Sequence, residues 1–303
     1  MKRKIVNYGQ SVRERLLAIA RERNIQLEYL LLRYAFERFL YRLGRSDYSE
    51  RFILKGASVF SIWMGPFCRV TRDADMESFG DPSPDAVIGA FKKVCAVPCP
   101  EDAVEYDMDS FESEDIKEDE KYPGLRVSFT AYIGGARVAM QIDVGFGDSV
   151  YPKAETADYP VLLDGETPRV LVYPRYTVVA EKFHTMVDRG LLNSRLKDYY
   201  DIWLLTERFD FEAELLSSAI RRTFERRETP VPSVLPESLS EDFFGNPLKV
   251  SQWNAFLRKL GDAPRPDSLG TATMRIANFL KPVISVPDSA VGHWAAIERC
   301  WNR

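Results

Sequence analysis

The chain has 303 residues, 45% hydrophobic and 28% charged, with a formal net charge of −4 at pH 7. This is the profile of a globular chain that buries a core in one large or two packed domains, and it excludes disordered and fibrous classes. No stretch approaches the roughly 18–20 consecutive apolar residues of a membrane span, and MKRKIVNYGQSVRERL carries no signal-peptide pattern, so a cytoplasmic protein without membrane partners is expected.

The cysteines Cys68, Cys95, Cys99 and Cys300 are few, and with only two histidines in the chain they suggest no zinc site. Reduced thiols are expected. Residues 1–51 carry twelve Lys/Arg against six Asp/Glu, whereas residues 101–121 carry eleven Asp/Glu against two Lys. A nucleic-acid partner would avoid the second region. That acidic run reads as the exposed face of a strand plus a turn, not as a metal site.

Ser11-Val12-Arg13-Glu14 fits a capping box opening a first helix. A second helix is expected from about Gln26 to Leu43, stopped by Gly44, with Leu30, Leu31, Tyr34 and Phe39 as its core stripe. Arg51–Gly56 reads as a short strand meeting a turn, and Ala57–Trp63 as a short helix. Val70–Met76 and Val104–Met108 alternate as strands do. Leu125–Ile133 and Arg137–Val144 are β-prone runs joined by Gly134-Gly135, a strong hairpin signal. Beyond them the chain reads as helical: Thr177–Arg189 closed by Gly190, a helix capped by Ser194 and running through Leu205, a run over 212–228, a loop-rich 230–247, then Trp253–Leu260 and Thr271–Phe279. The expected division is a helical segment 1–50, a mixed α/β core 51–173 and a helical region 174–303.

The sharpest chemical feature is Arg72-Asp73-Ala74-Asp75. On a strand, residues two apart share a face, so Asp73 and Asp75 present paired carboxylates, oxygen ligands suited to Mg²⁺. A solvated turn is the alternative for such a pair taken alone. Lys55-Gly56-Ala57-Ser58 lies upstream, where a glycine turn and a hydroxyl at a helix start offer amides and an OH to phosphate. Asp143, in Met140-Gln-Ile-Asp-Val144, is an acid within an apolar strand. An unpaired charge is costly there, and a metal shared with Asp73 and Asp75 would explain it; a surface-facing acid is the alternative. Lys182 lies on the helix face away from Val179, Phe183 and Met186, as a phosphate-neutralising cation or a solvated lysine. His184, Tyr199, Tyr200 and the arginines 221, 222, 226 and 227 are weaker candidates, for which packing or a solvated helix face suffices.

Leu54-Lys-Gly-Ala-Ser58, Thr71-Arg-Asp-Ala-Asp75, Gln141-Ile-Asp-Val-Gly-Phe-Gly-Asp148, Ala180-Glu-Lys-Phe183 and Ser194-Arg-Leu-Lys-Asp-Tyr-Tyr-Asp-Ile-Trp203 occur in an order that resembles the AbiEii/AbiGii toxin family of nucleotidyltransferases, over about residues 10–260. The resemblance implies an α+β fold: a polymerase-β-like nucleotidyltransferase core with a mixed sheet, flanked by an N-terminal helical arm and a C-terminal helical region. It also implies that Gly56 and Ser58 hold NTP phosphates, with Lys55 and Arg72 beside them. Asp73 and Asp75 would ligate Mg²⁺ or Mn²⁺, with Asp143 as third carboxylate and acceptor of the proton from the attacking hydroxyl. Lys182 matches the family's lysine after the sheet. Asp198 matches its late acid, with Asp201 as companion, either anchoring Lys182 or touching nucleotide. Ala57 stands where many members have glycine, and the Ser58–Asp73 interval is longer than in minimal nucleotidyltransferases. The implied activity is transfer of a nucleotide from an NTP to RNA, with tRNA as the acceptor, by a toxin of a toxin–antitoxin or phage-defence pair with a separately encoded antitoxin. A small-molecule or protein acceptor, or a nucleotide- or RNA-binding module that has lost its chemistry, are the competing readings.

Overall fold

The computed structural model describes residues 7–67, 74–116, 124–260, 263–285 and 291–302. The chain forms two compact units, Met1–Gly147 with Glu155–Val172, and Asp148–Ala154 with Tyr173–Arg303.

The first unit opens with α1 (Tyr8–Arg23). Its N-cap is Asn7, whose side chain accepts from the Gln10 amide at 3.0 Å. Ser11 therefore lies inside the helix and the expected capping box does not form; Glu14 instead accepts from the Gln10 side chain at 2.9 Å. In α2 (Leu27–Gly44) the stripe Leu30, Leu31, Tyr34 and Phe39 is buried, as its spacing predicts. Gly44 is the last helical residue, not the stop beyond it. A Cβ there would overlap the Arg169 carbonyl oxygen, so glycine lets the helix end close on a strand.

There follow β1 (Phe52–Lys55), a 3₁₀ turn (Gly56–Ser58), α3 (Val59–Met64), β2 (Ala74–Ser78), α4 (Pro84–Cys95), β3 (Val104–Tyr106), β4 (Glu112–Asp115), β5 (Gly124–Ile133), β6 (Ala136–Phe146), β7 (Glu155–Asp158) and β8 (Arg169–Val172). Of the expected strand Val70–Met76, residues 70–73 lie outside the described residues. Gly134 and Gly135 have φ of 53° and 80°, the left-handed pair a two-residue hairpin needs. Among the described residues the strands form one sheet in the order β3-β5-β6-β2-β1-β8-β7, with β4 also on β5. β2–β6 and β1–β8 are parallel and the other pairs antiparallel, so the fold is α+β with a mixed sheet.

One sheet face is apolar. Leu54, Met76, Val144 and Leu125 lie in register across β1, β2, β6 and β5, and all are buried. Phe39 of α2 meets Phe91 of α4 at 5.1 Å and Phe129 of β5 at 5.9 Å, so α2 and α4 seal this face. The acidic run is not wholly exposed as expected. Asp102 is buried and takes both Arg42 Nη atoms at 2.5 and 3.1 Å, fixing α2 against the loop before β3. A bidentate partner makes that burial tolerable.

The second unit holds α5 (Arg175–Arg189), α6 (Leu196–Arg208), β9 (Phe211–Glu212), α7 (Ala213–Arg226), α8 (Glu241–Phe244), α9 (Pro247–Leu257), α10 (Leu269–Ser285), β10 (His293–Ala295) and β11 (Cys300–Asn302). Gly190 closes α5 as its position predicts. Ser194 does not cap α6: Arg195 is the N-cap, and its amide is held by Asn193 Oδ1 at 2.9 Å. The small sheet β11-β10-β9 is absent from the sequence reading because strands of two or three residues show no period. Tyr199 and Tyr200 are fully buried, with hydroxyls donating to the Ser238 and Pro264 carbonyls, so they pack the core. Among the described residues no helix is long and apolar enough to cross a membrane, and Cys95, Cys99 and Cys300 are free thiols.

Glu37 of α2 is buried, 3.0 Å from Arg38 and accepting from the Leu162 amide at 2.8 Å. Burial pushes its carboxyl up from 4.5 to about 7, against the opposing pull of Arg38, the Leu162 amide and Arg33. Across that window the folded chain keeps a proton that the unfolded chain has released, so this group's contribution to stability falls as pH rises to 7, by on the order of 3 kcal/mol. Glu37→Gln is expected to melt as the parent does at pH 5 and above it at pH 7.5. Thermal unfolding at the two pH values checks this, and an equal difference at both contradicts it.

Candidate functional site

On β2, Asp75 and Glu77 point to the face opposite Met76. Strand register builds a charged row there. Asp75 pairs with Lys55 of β1 and with Asp143 of β6; Asp143 pairs with Arg126 of β5, and Arg126 with Glu114 of β4. Asp75 and Asp143 are thus direct neighbours on parallel strands, whose backbones lie about 4.8 Å apart. Arg126 donates from Nε and Nη2 to the two Asp143 oxygens, both at 2.9 Å, and reaches Glu114 at 3.4 Å. Lys55 Nζ lies 2.7 Å from Glu77 Oε2, whose side chain is fully buried. A Cβ on Gly145, across from Glu77, would sit 2.7 Å from that Nζ, so glycine makes room for the ion pair.

Directly after β1, Gly56 has φ +66° and its backbone presses on the next row. A Cβ there would overlap the Asp75 carboxylate. Ser58 follows, buried, at the start of α3. The turn and Asp75 are therefore one packed unit, held by β1–β2 pairing.

The cost of an acid in an apolar strand is met by Arg126, so Asp143 needs no metal to account for its place. Two expected site residues, Arg72 and Asp73, lie outside the described residues. Among the described residues no three His, Cys, Asp or Glu side chains converge as a metal site. The donor chemistry of Asp75 and Asp143 nonetheless fits a hard cation: adjacent carboxylate oxygens, each with more than one lone pair.

In the second unit, Lys182 Nζ lies 2.7 Å from Asp198 Oδ1 and 2.9 Å from Asp201 Oδ2. The two acids sit on adjacent turns of α6, and both are buried. Burial pushes the Asp198 carboxyl up, but Lys182, by charge and hydrogen bond, together with Arg195 and Lys197, holds it below its ordinary value. Asp198 therefore anchors Lys182, and Asp201 shares the task. His184 is buried, with its ring nitrogens 3.1 Å from Thr229 Oγ1 and 3.3 Å from Arg227 Nη1. Arg227 also reaches Asp148 at 3.4 Å, and Arg222 stacks on Tyr151 at 4.5 Å, so these arginines serve packing within the unit.

Arg126 and Glu77 escape the sequence reading. The hairpin carries a signal for the first: counting seven residues along each strand away from the Ile133–Ala136 pair reaches Arg126 and Asp143. Nothing local marks Glu77, because its burial depends on β1 and β6.

Lys182→Ala leaves two buried carboxylates without their shared cation, which costs about 3–5 kcal/mol. The deficit should shrink as pH falls toward 5, because Asp198, left buried without the lysine that holds its carboxyl down, then takes up a proton, and adding Asp198→Asn should recover part of it. Chemical denaturation of the single and double variants at pH 8 and pH 5 measures both. A pH-independent loss with no recovery contradicts the network.

Residues 38–275 match the family described as nucleotidyl transferase AbiEii toxin, type IV TA system. Among solved structures, a candidate nucleotidyltransferase from Helicobacter pylori is 13% identical, with a TM-score of 0.48 over 87% of this chain and 97% of that one. JHP933, also from Helicobacter pylori, is 10% identical, with a TM-score of 0.45 over 84% and 94%. No curated protein matches the chain. With well over half its length covered by the family match, and the turn, Asp75, Asp143 and Lys182 inside that span, the chain belongs to the AbiEii nucleotidyltransferase toxins of type IV toxin–antitoxin systems.

Proposed function

We propose that this nucleotidyltransferase moves a nucleotide from an NTP onto an RNA acceptor, of the tRNA class, and releases pyrophosphate. It acts as the toxin of a phage-defence pair, restrained by a separately encoded antitoxin. The observation that carries the transfer chemistry is the placement of Asp75 beside Asp143 in strand register, with the Gly56 turn closed on the Asp75 carboxylate, and the toxin and antitoxin roles are supported by the family match.

Asp73, Asp75 and Asp143 would hold Mg²⁺ or Mn²⁺, which supplies charge neutralisation to the reacting phosphate. The chain's own groups do the rest, since such transfer rests on positioning and charge. Gly56 and Ser58 offer a backbone amide and a hydroxyl to phosphate oxygens, with Lys55 and Arg72 adding positive charge beside them. Asp143, oriented by its two hydrogen bonds from Arg126, takes the proton of the attacking hydroxyl. Lys182, held by Asp198 and Asp201, is the second unit's candidate cation for nucleotide phosphate.

The test is incubation with α-labelled NTPs, Mg²⁺ and total RNA. Wild type is expected to label RNA, and labelling should stop in excess EDTA. Asp75→Asn should lose at least a hundredfold in rate while keeping its melting temperature. Full activity in that variant or in EDTA removes the metal assignment, and label in protein or small molecules replaces the RNA acceptor. Gly56→Ala forces a Cβ against the Asp75 carboxylate at a left-handed φ. It should slow transfer at least tenfold and cost about 1–2 kcal/mol of stability; unaltered transfer rates would show that the turn does not position Asp75.

A further inference from the structure

Arg33, on α2, is buried, and among the described residues none of its Nε, Nη1 and Nη2 atoms has a hydrogen-bond partner. A guanidinium carries five N–H donors and a permanent charge, and leaving it unsatisfied in the interior is unfavourable. Its contacts are ring faces, Phe67 at 5.7 Å and Tyr159 at 6.0 Å, which stabilise a cation without satisfying its hydrogens. Glu37, one turn along α2, acts on it through its field, but the Glu37 oxygens are engaged by Arg38 and the Leu162 amide.

Arg33 lines a small cavity of about 30 Å³, open at its mouth, together with Ser58, Ser61, Tyr29, Tyr159 and Gln141. That is room for about one water, so a phosphate would seat one oxygen inside and the rest at the mouth. The lining is mixed: Leu32, Phe36, Ala74 and Met140 supply apolar surface, the polar groups are hydroxyls, an amide and one buried cation, and Ser61 hydrogen-bonds Tyr159. A fixed positive charge among hydroxyl donors with a mouth to the outside suits an oxyanion, and a planar guanidinium can meet two phosphate oxygens at once. Ser58 belongs both to this lining and to the turn that closes on Asp75. Arg33 precedes residue 38, where the family match begins.

We propose that Arg33 is a phosphate ligand: the cavity it shares with Ser58 takes a phosphate oxyanion of the NTP, and of pyrophosphate after transfer. This rests on the proposed NTP chemistry and adds to it a residue from outside the matched span. The orphaned donors of Arg33 are then satisfied only in the nucleotide-bound protein.

The experiment uses the full chain with inorganic pyrophosphate as probe, by calorimetric titration, alongside NTP labelling kinetics and ligand-free melting. Arg33→Gln is expected to weaken pyrophosphate binding and raise KM for NTP at least tenfold, with KM for RNA unchanged. Without ligand it should melt at or above wild type, because an unsatisfied charge is removed. Arg33→Lys, which retains the charge, should recover part of the affinity, and it serves if the glutamine variant does not fold. Unchanged pyrophosphate affinity in both variants overturns the proposal while leaving the NTP reading intact, as does a rise in KM for RNA alone. A wild type that binds neither pyrophosphate nor any NTP overturns both.

Discussion

The arrangement depends on one register: β1, β2, β6 and β5 aligned so that Lys55, Asp75, Asp143 and Arg126 form a single row across the sheet. Two carboxylates on adjacent strands repel. Here they are flanked by a cation on either side, and the row is formally neutral. On the opposite face the same register sets Leu54, Met76, Val144 and Leu125 in line under α2 and α4. A slip of one residue in any of these strands would exchange the two faces, burying the charges and exposing the core. The burial of the apolar row thus enforces the geometry of the acidic one.

Local details follow from that constraint. Gly56 allows the turn after β1 to approach Asp75, and Gly145 leaves room for the Lys55–Glu77 pair. Both are places where backbone must come close to a charged side chain, and only glycine permits it. The second unit solves a similar problem differently. It fixes Lys182 between two acids one turn apart on α6, so the lysine's position is set by a helix and not by a sheet. A lysine held between two carboxylates loses the rotamer freedom of a solvated one.

Much of this was legible in the sequence. The Gly134-Gly135 hairpin, the α2 core stripe, the β1–turn–α3 segment and the helical tail follow from period and turn chemistry. The resemblance carried by Leu54–Ser58, Thr71–Asp75 and the later motifs agrees with the family match. The details that were not legible depend on tertiary neighbours. Ser11 resembles a cap, but Asn7 captures the helix start one turn earlier; Ser194 yields to Asn193 for the same kind of reason. Gly44 resembles a helix stop, yet its demand is proximity to Arg169. Asp102 belongs to an acidic run that reads as solvated, and Arg42, sixty residues away, buries it. Asp143 resembles an unpaired acid until hairpin register is counted to Arg126.

Asp75 and Asp143, set side by side by strand register, are proposed as the metal-bearing acids of this nucleotidyltransferase. Crystals grown with Mn²⁺ and a non-hydrolysable NTP analogue test this assignment directly through the anomalous signal of the metal. The account predicts a peak at coordination distance, about 2.0–2.2 Å, from an Asp75 oxygen, with Asp143 in the same coordination sphere. Manganese bound elsewhere, with neither carboxylate among its ligands, would contradict it.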